Sequence, residues 1–142
     1  MANIKHSVAV VVRGPQDGTF LVVKRPDDSA DPIAGVWGLP AVTLMAGEDE
    51  AAAVARVGRV KLGVELLLLR KIGEKQGVQN GSGILLSEYE AEILAGTPSV
   101  PQPDASMTQY TAWRYADDPG VLAEAAGRGS LCAQVFLSAR GG

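Results

Sequence analysis

The residues best suited to chemistry in this 142-residue chain are a few cations and carboxylates. Arg25, Arg56 and Lys61 could hold phosphate oxygens, the guanidinium groups as planar forks and the ammonium as a point charge. Glu48 and Glu90 are the candidates for a general base, and Glu88 and Glu92 share a strand face with Glu90. Each also has a plainer reading. Lys61 lies near a helix end, where the dipole favours a solvated cation. Arg56 can reach Glu48 across a loop and form a structural pair. Three acids on one strand face more commonly make a wetted sheet surface. Trp37 and Trp113 could stack on a base, but core packing is the commoner fate. His6, the one histidine, carries nothing on its own.

These residues need elements to position them. Ser7–Arg13 and Thr19–Arg25 are valine-rich and flank Gly14-Pro15-Gln16-Asp17-Gly18, which predicts a β-hairpin. Pro26–Pro32 reads as a polar surface loop, and Val36–Leu44 as a strand region broken at Pro40. Gly47-Glu48-Asp49 before an Ala-rich run predicts a helix start, and Gly63 its stop. Glu65–Ile72 reads as a buried strand, Gly73–Gly83 as a mobile loop and Ile84–Leu94 as an alternating strand. Ala95–Ser106, with three prolines, predicts an irregular loop, and Met107–Tyr115 a strand. Asp118-Pro119 opens a short helix, Val121–Ala126, ended by Gly127. Ser130 caps a last helix with Leu131, Val135, Phe136 and Ala139 on one side. The order suits an α/β sandwich in one domain, residues 1–142.

The stretch from Gly35 to Val64 resembles the Nudix hydrolase box, G-x5-E-x7-R-E-U-x-E-E-x-G-U with U bulky and apolar. Glu48, Arg56, Gly63 and Val64 stand at the matching spacings behind a Gly-x-Trp-x-Leu-Pro lead-in. Val42 replaces the first glycine and Gly58 the bulky residue, while Val57, Val60 and Lys61 replace three glutamates. Glu88-Tyr-Glu-Ala-Glu with Gly96-Thr97-Pro98, and Tyr110-Thr-Ala-Trp113, extend the likeness over roughly residues 6 to 126. The resemblance implies a mixed sheet between helices, the Nudix-type α/β/α sandwich. It also implies hydrolysis of a nucleoside diphosphate linked to another group.

In active members of that family the glutamates hold Mg²⁺ or Mn²⁺ against the diphosphate. Here three carboxylates become two neutral groups and one cation, so no metal is expected at the box, and no other cofactor. A non-catalytic nucleotide-binding module and a protein-interaction domain are therefore weighed beside the hydrolase. A base outside the box, among Glu88, Glu90 and Glu92, would follow some members of the family. On a helical wheel Ala53, Val57, Val60 and Val64 form one apolar group, and Ala51, Val54, Ala55, Gly58 and Leu62 another. The Val57/Val60/Val64 face then needs a cover, from the chain itself or from a second copy in a homodimer. If the helix is rolled instead, both groups line one broad core face.

Composition sets the remaining bounds. A net charge of −3 gives no electrostatic case for a nucleic-acid partner. A single cysteine, Cys132, fits a reducing cytoplasm and makes no internal disulfide. No apolar run reaches the roughly 20 residues of a membrane span. Ser7–Val12 is too short for a signal-peptide core, so a cytoplasmic protein is expected.

Overall fold

Valine dominates the first strand, β1 (Ile4–Val12), and β-branched side chains favour extended backbone. Val8 to Val12 are all at most 2% exposed, so this strand is buried on both faces. Both of its edges are also occupied. β4 (Ala41–Thr43) pairs antiparallel with one, and β6 (Ser82–Ala95) pairs parallel with the other. β5 (Glu65–Gln79) closes the sheet in the order β4-β1-β6-β5. A second, antiparallel sheet has the order β3-β2-β7, from Trp37–Gly38, Phe20–Lys24 and Ala112–Ala116. The structure, a computed structural model, describes residues 4–27, 33–79, 81–103 and 108–139.

Alternate residues of β1 feed two cores. Val8, Val10 and Val12 pack with Ala53, Val54 and Val57 of α1 (Glu50–Val57). On the opposite face Ala9 packs with Val135 and Val11 with Phe136, both from α3 (Leu131–Ala139). The result is a mixed sheet between helices, the Nudix-type α/β/α sandwich.

The expected hairpin is corrected. Gly14 N–H donates to Thr19 O (2.9 Å) and Arg13 bridges Phe20, but β1 and β2 then enter different sheets. A strand has two edges, and β4 and β6 hold both edges of β1.

The buried strand at 65–72 and the loop at 73–83 are also corrected. β5 runs on to Gln79 and pairs with β6 down its length. As the sheet's edge it leaves Leu67 at 40% and Val78 at 78% exposure. Its glycines give clearance to α3: a Cβ on Gly77 would lie 2.9 Å from a Leu131 methyl. Pairing shifts register between Glu65 and Leu66, Leu68 and Arg70, and Lys71 and Gly73.

The strand expected at Met107–Tyr115 starts only at Ala112; Thr108–Tyr110 is irregular, and Met107 lies outside the described residues. So do Asp28–Pro32 of the first expected loop and Asp104–Ser106 of the second. Asp118 accepts from Gly120 N–H (2.8 Å) to start the short helical turn Pro119–Leu122, which leads into α2 (Ala123–Gly127). Ser130 Oγ accepts from Ala133 N–H (3.4 Å) at the start of α3.

Asp49 caps α1 by accepting from Ala52 N–H at 2.7 Å. Beyond Val57 the helix widens into a π turn, Gly58–Leu62, and stops at Gly63 (φ 72°). A wheel of 100° per residue fails past that widening. Val57 and Val64 therefore share one core cluster with Val54 and Leu62, while Ala51 and Ala55 of the second group are exposed, so the rolled-helix alternative holds only in part. The chain supplies the cover: Val100 and Tyr110 pack on the cluster, Ser99 N–H donates to Leu62 O (2.9 Å), and Gln109 Nε2 to Val60 O (3.3 Å).

Gly58 is buried where the turn meets β5. A Cβ there would stand 2.7 Å from both Val64 O and Leu66 Cγ, so the bulky box residue has no room. Overpacking of this kind costs about 2 kcal/mol. Gly58→Val should lower the denaturant midpoint accordingly at unchanged slope, measured by chemical unfolding.

Candidate functional site

A cleft of about 580 Å³ opens across the sheet face that carries Lys5, Ser7, Ile84 and Leu86. Leu39, Ala41, Ser130, Leu131 and Cys132 line it, together with Arg25, Arg56, Lys61, Thr108 and Tyr110. Burial positions the second group. Tyr110 is 2% exposed and its Oη accepts from Ala41 N–H at 2.9 Å. Burial, opposed by that hydrogen bond and by Arg25, pushes its phenol up to about 12.

Lys61 corrects the expectation of a solvated lysine. It is 4% exposed, donates to Thr108 O, and its Nζ lies 5.2 Å from the centre of the Tyr110 ring. The π turn is responsible, because it rotates the last helical residues inward. The lysine carbons fill core while the ammonium finds a carbonyl and an aromatic face.

Arg56 makes the structural contact its spacing implies. Nε donates to Glu48 Oε2 (2.8 Å), and Nη2 to Glu48 Oε1 (2.9 Å) and Thr43 O (2.7 Å). The Arg56 hydrogen bonds hold the Glu48 carboxyl below its usual range.

The expected wet face of Glu88, Glu90 and Glu92 is corrected too, because α3 packs on it. Glu92 is half-buried. Glu90 is 9% exposed and accepts from Arg13 Nη2 (3.2 Å) and Arg70 Nε (3.0 Å). Burial raises its affinity for a proton, but the two guanidinium groups hold it below the usual range. It lines a second cleft, about 520 Å³, beside the Gly14–Thr19 turn. The structure thus gathers Arg25, Arg56 and Lys61 in one cleft and places Glu90 in another. Glu88 is fully buried, and neither carboxyl oxygen has a hydrogen-bond partner. Burial raises its carboxyl to about 9.

His6 has a partner its isolation in the sequence did not suggest. Its Nε2 lies 2.7 Å from Glu50 Oε2, and Glu50 also accepts from Ser87 Oγ (2.8 Å) and from Tyr89 Oη. Burial opposes the charge on Glu50, but those bonds and Lys71 (3.5 Å) hold its carboxyl below the usual range. Ser87 donates to the carboxylate rather than to the imidazole, so the group ties α1 to β6 and activates no nucleophile. Trp37 is half-buried beneath the Arg114 guanidinium (4.8 Å), and Trp113 meets Tyr115 edge-on (5.4 Å). Tyr110, Thr108 and Cys132 were not singled out as site residues. Tyr110 is the one a motif marked, through the Tyr-Thr-Ala-Trp run.

The fold and cleft define the chain as having the architecture of the Nudix hydrolases. The E. coli ORF135 protein superposes with a TM-score of 0.73 at 20% identity, over 98% of this chain and 92% of that one. A MutT Nudix hydrolase from Burkholderia pseudomallei gives 0.66 at 24% identity, over 80% and 82%. An ADP-ribose pyrophosphatase from Streptococcus suis gives 0.60 at 14%, over 93% and 91%. No family profile and no curated protein sequence matches. No helix among the described residues is long and apolar enough to cross a membrane.

The residues at the box do not fit a divalent ion. Val57 is fully buried and has no donor atom, and the Lys61 ammonium faces a carbonyl. Both Glu48 oxygens are engaged by Arg56. Among the described residues no three His, Cys, Asp or Glu side chains are grouped to hold a metal. Mg²⁺ needs about six oxygen ligands near 2.1 Å.

Glu88 makes stability depend on pH. Its folded value lies above the unfolded one, so the folded state keeps a proton that the unfolded state has lost. The contribution is full below the unfolded value of 4.5 and is lost as pH rises toward about 9. The limiting slope is about 1.4 kcal/mol per pH unit. Glu88→Gln should therefore be more stable than wild type, with the gap widening from about pH 5 to about pH 8 in paired melts.

Proposed function

We propose that the chain binds a nucleoside-diphosphate-type ligand in the main cleft through its own cations, without a divalent ion, and hydrolyses it slowly or not at all. The observation that carries this is the charge of the wall. Lys5, Arg25, Arg56 and Lys61 line the cleft, and no carboxylate does among the described residues. Such a wall attracts phosphate oxygens and repels Mg²⁺. Arg25 and Lys61 are the phosphate contacts, and Arg56 adds positive potential while committed to Glu48. The fold shared with an ADP-ribose pyrophosphatase supports a diphosphate linked to a second moiety as the ligand class. The box glutamates have been replaced and the cleft kept.

The alternatives fare less well. Neither Glu48, held by Arg56, nor Glu90, in the other cleft, has the setting of a general base for this site. A protein-interaction role for the valine face lacks a surface, since Val57 and Val64 are buried.

Loss of metal charge stabilisation removes several kcal/mol from phosphoryl transfer, roughly three or more decades in rate. Inorganic pyrophosphate, ADP-ribose and UDP-sugars should each raise the melting temperature equally with and without Mg²⁺. Lys61→Met should weaken pyrophosphate binding roughly tenfold by calorimetry. A tenfold gain in affinity from Mg²⁺, or turnover above about 1 s⁻¹, would overturn the reading.

Val57→Glu tests the metal argument from the other side. The site is fully buried in core, so the new carboxylate should cost about 3 kcal/mol or more. The expected result is a lower melting temperature and no Mg²⁺ binding by calorimetry.

A further inference from the structure

Glu88 is a buried group that the anion-binding reading leaves unused. A carboxyl taken from water without a hydrogen bond is costly, and such groups are rare in folded proteins. Its position relates it to the cleft. Ile84 and Leu86 precede it on the same face of β6, and both line the cleft. Across the parallel pairing Glu88 faces Ala9, and Leu86 faces Ser7, which is again cleft lining. Glu88 is therefore the next step of the cleft floor, one strand period deeper.

Cys132 connects the two. It lines the cleft and lies close enough to Glu88 for the thiol to sense that carboxyl. Its Sγ rests 3.3 Å from Ser130 Oγ and also meets the backbone of Leu39 and Ala133, all weak partners for a thiol. Ser130 and Cys132 give this stretch of lining a hydroxyl and a thiol, with the Glu88 carboxyl buried behind them.

We infer that Glu88 is a specificity residue for the uncharged part of the ligand, pairing with a heterocycle that presents a donor beside an acceptor. A protonated carboxyl offers one O–H donor next to one carbonyl acceptor, the complement of a lactam or amidine edge such as nucleobases carry. The ring enters along Leu86 and Leu131, and the Cys132 thiol turns aside to admit its polar edge. The inference rests on the cleft being the ligand site, but it concerns the part away from the phosphate.

The test titrates the intact chain with four uncharged nucleosides, adenosine, guanosine, cytidine and uridine, and separately with inorganic pyrophosphate. At least one nucleoside should bind the wild type. Glu88→Met should weaken it roughly tenfold or more, because the base edge is left unpaired. Glu88→Gln, which keeps a donor and an acceptor, should stay within about threefold, and neither variant should change pyrophosphate affinity. The inference is overturned if no nucleoside binds, if Glu88→Met binds nucleosides as well as wild type, or if Gln and Met are equally damaging. Equal loss of pyrophosphate and nucleoside affinity also overturns it, since that marks a merely structural role. If the wild type binds a nucleoside but not pyrophosphate, the anion reading fails while the two variants still decide Glu88.

Discussion

The buried guanidinium of Arg56 is the constraint on which this end of the molecule depends. It joins the helix to Glu48 in the preceding loop and to the backbone of Thr43 at the end of β4. Removing either partner would strand a charge that is 7% exposed. The loop therefore cannot drift from the helix, and β4 cannot drift from the loop. With β4 fixed, Ala41 N–H meets the Tyr110 hydroxyl, and the Tyr110 ring in turn supports Lys61. The helix, the loop and β4 are thus held together by an arginine–carboxylate pair that needs no metal.

Local signals in the sequence were legible where a residue acts on its own backbone. Asp49, Gly63, Asp118 and Ser130 each sit where their caps and stops were expected. The Arg56–Glu48 pair follows from spacing across one short loop. What escaped were facts set by distant chain. The hairpin reading of β1 and β2 failed because β4 and β6, both from later in the chain, hold the two edges of β1. Glycines in β5 looked like loop formers because nothing local reveals a helix passing overhead. Lys61 and Glu88 looked solvated for a similar reason: their burial is made by Thr108 and Tyr110 and by α3. Periodicity gives the face a residue occupies, but not what lies against that face.

The molecule also keeps its charges in separate compartments. Glu50, with His6, Tyr89 and Lys71, lies on the α1 face of the sheet, and Glu90 with its arginines lies beside the β1–β2 turn. Each carboxylate is matched to its own cations, so little negative potential reaches the main cleft. A net charge of −3 is therefore compatible with a locally positive wall. Overall charge reports on solubility and on long polyanions, whereas a small anion samples only the wall it touches.

β5 is a 15-residue strand with one side unpaired, which is the usual template for runaway strand addition between molecules. Three register shifts between Glu65 and Gly73 interrupt its line of backbone donors and acceptors. Glu65, Arg70, Lys71, Glu74 and Lys75 add exposed charge of both signs along the same strand. An incoming strand would find the ladder interrupted from Glu65 to Gly73 and unbroken only from there to Gln79. The irregularities that cost β5 some pairing with β6 also shorten the template that its first half offers to another strand.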